Sequence, residues 1–149
     1  MNRKPVLPPT YLWAAMLAML AFHFGLPVKR IISFPWNLLG LLSLVLGAAL
    51  NVLADKDFRV LKTTVKPFQE SAALVTGDVF RICRHPMYLG FVLILLGLAV
   101  LLGSLTPFIV VPIFAAVIDR VFIVVEEQML ANRFGQAWLD YKSRVRRWI

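Results

Sequence analysis

A single cysteine, Cys83, and only two histidines, His23 and His85, occur among the 149 residues of this chain. One thiol can build neither a disulfide framework nor a cysteine-rich metal site. The two imidazoles lie far apart on different segments, so no metal centre is expected. Acidic residues are scarce too: eight Asp and Glu stand against sixteen Lys and Arg, a formal net charge of +8. Such a surplus can signal a nucleic-acid partner, but here its distribution argues otherwise. No clean small-x-small cleavage site precedes Lys29 and Arg30, so the apolar N-terminal stretch is expected to be a retained helix rather than a signal peptide.

Apolar residues are what the chain has in quantity. They make up 60% of it, with a mean hydropathy of +0.77, against ~45–50% in ordinary soluble domains. A membrane-crossing helix needs roughly 20 mostly apolar residues, and the segments 11–26, 34–54, 88–103 and 106–125 approach that length. The expected fold is all-α: a polytopic membrane helix bundle of about four transmembrane helices, with a cytoplasmic loop and an amphipathic C-terminal helix, in one domain over 1–149.

Four crossings would collect thirteen basic residues on one side: Arg3, Lys4, Lys56, Arg59, Lys62, Lys66, Arg81, Arg84, Arg133, Lys142, Arg144, Arg146 and Arg147. The positive-inside rule then places both termini and the long loop in the cytoplasm, in what reads as a prokaryotic inner membrane. The charge orients the protein and meets anionic membrane lipid. No nucleic-acid partner is expected.

The two halves differ in chemistry. Residues 1–54 read as a helical hairpin whose second helix carries Asn37, Gly40, Ser43, Gly47 and Asn51 at three- or four-residue spacing. Small and polar residues on one stripe let membrane helices approach closely. Residues 55–87 read as a loop of over thirty residues, too long for a plain connection. Its apolar anchors are Phe58, Val60, Leu61, Val65, Phe68, Leu74, Val75, Val79, Phe80 and Ile82, which should fold it onto the membrane face. The turn at 103–107 makes the third and fourth helices an antiparallel hairpin, so the start of one and the end of the other must share a level.

At that level stand two polar clusters. In RICRHPMYLG, Pro86 suits a first helical turn and His85 its N-cap. The free N–H groups beside Arg81, Arg84 and His85 form a ready anion site, with Tyr88 one turn on and Gly90 permitting close approach. Snorkelling arginines and a proline helix start would be the plain structural account. The other cluster is Glu126–Glu127, mid-helix because EEQMLANRFGQAWLDYKSRV continues with Met129, Leu130, Phe134, Trp138 and Tyr141 at helical spacing, an interfacial stripe. The glutamates mark a membrane boundary or accept hydrogen bonds from ribose hydroxyls. Asp119 and Arg120 lie inside the fourth apolar segment, where ionisable groups are costly unless paired. Their seven-residue spacing to Glu126 and Glu127 puts each pair on one helix face.

LVTGDVFRICRHPMYLG followed by EEQMLANRFGQAWLDYKSRVRRWI resembles the isoprenylcysteine carboxyl methyltransferase family and the related phospholipid N-methyltransferases, over residues 61–149 including TTVKP. The loop departs from the family in one place, its glycine standing one position early in Thr76-Gly77-Asp78-Val79-Phe80. The resemblance implies an integral membrane methyltransferase that moves a methyl group from S-adenosylmethionine to a lipophilic or small acceptor, leaving S-adenosylhomocysteine. The acceptor would be an isoprenylcysteine-like carboxylate or a lipid amine. Residues 55–149 become the cofactor-binding half, with Leu74, Val75, Phe80, Arg84, His85, Pro86, Met87, Tyr88, Glu126 and Glu127 around the cofactor. Arg120 matches a position facing the substrate and is the candidate catalytic residue. A chain this short could work as a homodimer. The competing class is a non-enzymatic membrane subunit or lipid-binding assembly protein built from the same clusters.

Overall fold

Apolar runs punctuated by proline and glycine give this chain its helices, and the computed structural model describes them over residues 7–26, 28–62 and 72–149. Helix α1 spans Pro8–Gly25, with proline in its first turn. A 3-10 turn at Trp36–Leu39 leads into α2, Gly40–Val60. A second 3-10 turn, Asp78–Arg81, precedes α3, Pro86–Leu102. Helix α4, Leu105–Ile118, runs through a π turn, Asp119–Ile123, into α5, Val124–Phe134. Helix α6 is Gln136–Arg144. The described residues contain no strand, only an isolated bridge between Arg30 and Ser104.

Two helical stretches are long and apolar enough to cross a membrane, Trp36–Val60 and Leu105–Phe134. Only 17% and 33% of their most apolar windows are buried, which separates them from the core helices of a soluble protein. Large apolar side chains such as Leu41, Leu42, Val45, Leu46, Val52 and Leu53 stand exposed along α2. Leaving them in water would cost about 25 cal/mol per Å² of apolar surface, so lipid is their solvent. This is an integral membrane protein. Helices α1 and α3 are shorter, at 18 and 17 residues, about 26 Å of rise against roughly 30 Å of hydrocarbon.

Helices α2 and α3 pack antiparallel along the small-residue stripe. A Cβ placed on Gly47 would lie 2.5 Å from the Gly90 carbonyl, and one on Gly97 2.6 Å from the Gly40 carbonyl. Between these contacts the Ser43 hydroxyl donates to the Leu93 carbonyl at 2.8 Å, and beyond the second Asn37 Nδ2 donates to the Leu101 carbonyl at 3.1 Å. Gly103, at φ 69°, closes the α3–α4 hairpin, and its carbonyl accepts the N–H groups of Ile31 and Ile32.

Two cores result. One lies among α1, α3 and α4 and includes Met19, Leu95, Phe114, Ile118 and Phe122. The other gathers Ala54, Val75, Val79, Phe80, Trp138 and Tyr141. This second core revises two expectations. Helix α2 continues to Val60, so the connection to α3 is shorter than 55–87 and Phe58 belongs to a helix. The C-terminal amphipathic stripe is broken at Gly135, φ 51°, and its Trp138 and Tyr141 are buried against the loop rather than laid on a membrane surface. Periodicity marks an apolar face without saying whether lipid or protein covers it. Of the loop's anchors, Val60, Leu61 and Ile82 are exposed, while Val65, Phe68 and the TTVKP stretch lie outside the described residues.

Candidate functional site

The α3–α4 hairpin brings the start of α3 against the glutamates of α5. The Tyr88 hydroxyl donates to Glu126 Oε1 at 2.5 Å. His85 Nε2 lies 3.4 Å from Glu127 Oε1, and His85 Nδ1 lies 3.6 Å from Glu126 Oε2. Pro86 is buried at the first helical position, and His85 ahead of it makes no side-chain cap, so it does not bond the first-turn N–H groups of α3. The two polar clusters therefore meet at one level.

The two acids are not equivalent. Glu127 is 6% exposed. Its Oε1 accepts Arg84 Nε at 3.1 Å, Arg84 Nη2 at 2.8 Å and Arg147 Nε at 3.2 Å, while its Oε2 accepts Arg147 Nη2 at 2.7 Å. A carboxylate offers about four acceptor positions, and these donors fill nearly all of them. Glu126 is different: its side chain is 23% exposed, and Tyr88 is its one side-chain hydrogen-bond donor among the described residues. Of the pair, Glu126 keeps acceptor capacity toward a ligand.

Arg84 is committed as well. Besides Glu127, its Nη1 donates to the carbonyls of Val145 at 2.7 Å and Lys142 at 3.2 Å, and its guanidinium lies 5.8 Å from the centre of the Trp138 ring. All its nitrogens are used, so it ties the C-terminal segment to Glu127 rather than offering a free anion site. Val75 and Phe80 are buried in the second core, with Leu74 and Met87 packed against it. The Phe80 ring meets Phe58 edge-on at 5.3 Å, and its carbonyl accepts the Tyr141 hydroxyl at 2.7 Å. These four belong to one apolar cluster with Trp138, whose ring the Arg84 guanidinium faces.

The π turn changes the expected alignment of the intramembrane charges. It takes up one extra residue, so Asp119 aligns with Glu127 rather than Glu126. Arg147 joins them, its Nη1 donating to Asp119 Oδ1 at 3.1 Å while Nη2 reaches Glu127. Arg120, by contrast, is exposed and makes no ion pair with the acids of this network among the described residues. The sequence reading gave Arg147 no role beyond its charge. Its pairing is tertiary, and nothing in the surrounding VRRWI marks one arginine from the other.

With His85 protonated, three cations (Arg84, His85 and Arg147) face three acids (Asp119, Glu126 and Glu127). Burial alone would push His85 down, but the close Glu126 and Glu127 carboxylates outweigh it and raise its pKa. Hydrogen bonding to Glu127 likewise raises Arg147. Cys83, one residue from Arg84, is 1% exposed and its thiol is pushed up by burial, so it is not a nucleophile.

A family model described as phospholipid methyltransferase matches residues 36–137. Among curated proteins, the chain is 31% identical over 150 residues to protein-S-isoprenylcysteine O-methyltransferase A of Arabidopsis thaliana, covering 91% of this chain and 71% of that protein. It is 34% identical over 113 residues to the mouse protein-S-isoprenylcysteine O-methyltransferase, covering 71% of this chain but 38% of the relative. An uncharacterized protein of Haemophilus influenzae is 41% identical over 63 residues, its whole length and 42% of this chain.

Proposed function

The chain belongs to the phospholipid methyltransferase family, and on that premise we propose that it transfers a methyl group from S-adenosylmethionine to a lipophilic acceptor at the membrane boundary. The observation that carries this reading is the meeting of the α3 start with Glu126 and Glu127, through the Tyr88–Glu126 hydrogen bond and the close approach of His85 to Glu127. The residues present suit such a cofactor. A carboxylate with spare acceptor capacity, Glu126, fits ribose hydroxyls. The start of α3, uncapped by His85 and bordered by that imidazole, fits the amino-acid carboxylate. Leu74 and Met87, only partly buried against the second core, give an apolar surface for a purine, with Val75 and Phe80 packed behind them.

When bound, S-adenosylmethionine supplies a methyl group already activated by its sulfonium. The chain's own task is then alignment and exclusion of water, which can account for up to ~7–11 kcal/mol of a barrier. His85 and Glu126 orient, the second core shields, and Glu127 holds its neighbours in place without touching the ligand. Arg120 stands exposed on the π turn, within a segment that lipid surrounds. A guanidinium there, without an ion-pair partner among the described residues, favours a carboxylate acceptor over an amine, which would carry like charge until it lost a proton. The Arabidopsis and mouse relatives are named for an isoprenylcysteine acceptor, and an acceptor of that chemistry would approach from the bilayer. This reading takes four crossings, with the site on the cytoplasmic side of a prokaryotic inner membrane.

Titration of S-adenosylhomocysteine into the detergent-purified protein tests the reading. Saturable binding is expected, and Glu126→Gln should weaken it roughly ten- to hundred-fold, the loss of a hydrogen bond to a charged group worth about 1.5–3 kcal/mol. Absence of saturable binding by the wild-type protein, with association that follows lipid charge instead, would assign the clusters to a non-enzymatic membrane subunit.

A further inference from the structure

Beyond α6 the last five residues, 145–149, turn back over the acids. The Arg84 amide donates to the Arg146 carbonyl at 2.9 Å, and Arg84 Nη1 to the Val145 carbonyl at 2.7 Å. Trp148 packs against the core among α1, α3 and α4. Between these anchors, Arg147 spreads its guanidinium over two carboxylates eight residues apart. Its Nη1 reaches both Asp119 oxygens at 3.1 and 3.3 Å, and its Nη2 and Nε reach the two Glu127 oxygens at 2.7 and 3.2 Å. A straight α-helix would turn those positions about 80° apart at 3.6 residues per turn. The π turn brings them onto one face, and the planar fork of arginine fits the resulting pair in a way a lysine ammonium cannot.

We propose that Arg147 is a positioning residue for the cofactor site: by clamping Asp119 to Glu127 across the π turn, it fixes the helical turn from which Glu126 presents its carboxylate. This deepens the proposed function and rests on it. Arg147 need not touch the cofactor, since its effect passes through Glu127 and the shared backbone of the adjacent acid.

Three variants separate this role from general support of the C-terminal segment. Arg147→Ala should weaken S-adenosylhomocysteine binding at least ten-fold. It should raise KM for S-adenosylmethionine with little change in KM for the acceptor. Arg147→Lys should restore part of the affinity, because an ammonium can pair with one acid without bridging both. Trp148→Ala, which loosens the same segment without touching an acid, should lower the melting temperature yet leave cofactor affinity within about three-fold. Equal losses in Arg147→Ala and Trp148→Ala, or wild-type affinity in Arg147→Ala, overturn the proposal while wild-type binding stands. A wild-type protein that fails to bind removes the underlying function instead.

Discussion

At the scale of single residues, charge pairing sets the behaviour of the site, and His85 makes it pH-dependent. Its folded-state pKa is raised by the two glutamates against the opposing effect of burial. The sign follows: stability from a His of raised pKa is fully present below the unfolded value of about 6.5 and is lost as pH rises through the folded one. Thermal melting in detergent should therefore show wild type exceeding His85→Gln by more at pH 6 than at pH 9. A difference constant across that range would mean the imidazole is not charged in the fold. The sequence already exposed part of this network. Proline after histidine at a helix start, and paired acids after an apolar run, are local patterns with local causes. Arg147 was not legible, because its partners are set by the π turn and by the return of the C-terminal residues, neither of which leaves a periodic trace.

At the scale of elements, the α2–α3 seam depends on backbone meeting backbone. Gly47 faces Gly90 and Gly40 faces Gly97, with a backbone carbonyl of the opposite glycine within reach of each absent Cβ and a side chain close beside it. Replacing Gly97 with Val drives a side chain into the Gly40 carbonyl and the Leu44 backbone, which no rotamer change can clear, and overpacking of this kind costs about 1–3 kcal/mol. Gly97→Val should lower the melting temperature measurably, whereas Val45→Leu, on the exposed face of α2, should leave it unchanged. This seam was readable in advance from glycine, serine and asparagine at helical spacing. The length of α2 was not, because Asp55, Lys56 and Asp57 look like the start of a loop. They are charged residues on a helix that has left the apolar region, and Arg59 pairs with Asp55 one turn away.

At the scale of the whole molecule, the cofactor-binding proposal sits where two cores of different surroundings join. The core among α1, α3 and α4 has exposed apolar neighbours that require lipid. The core around Trp138 and Tyr141 is formed by the loop, the end of α2 and α6, with Arg59, Lys142 and Arg144 exposed around it. Apolar runs announced the first. The second was mistaken for a membrane-facing stripe, since the same spacing serves either solvent. Because Arg84 and Arg147 bind the C-terminal segment to an acid on the long helical stretch Leu105–Phe134, the two cores should lose structure together. A single transition by circular dichroism and by tryptophan fluorescence is the expected result, and two separated transitions would show that the network does not couple them.

Cys83 lies beside Arg84 of that network, sealed and with its proton held. A maleimide dye should pass it by in the native protein and mark it promptly once the seal opens. The chain thus brings its own unfolding gauge, and a second thiol engineered at an exposed position can be labelled without first removing the natural one.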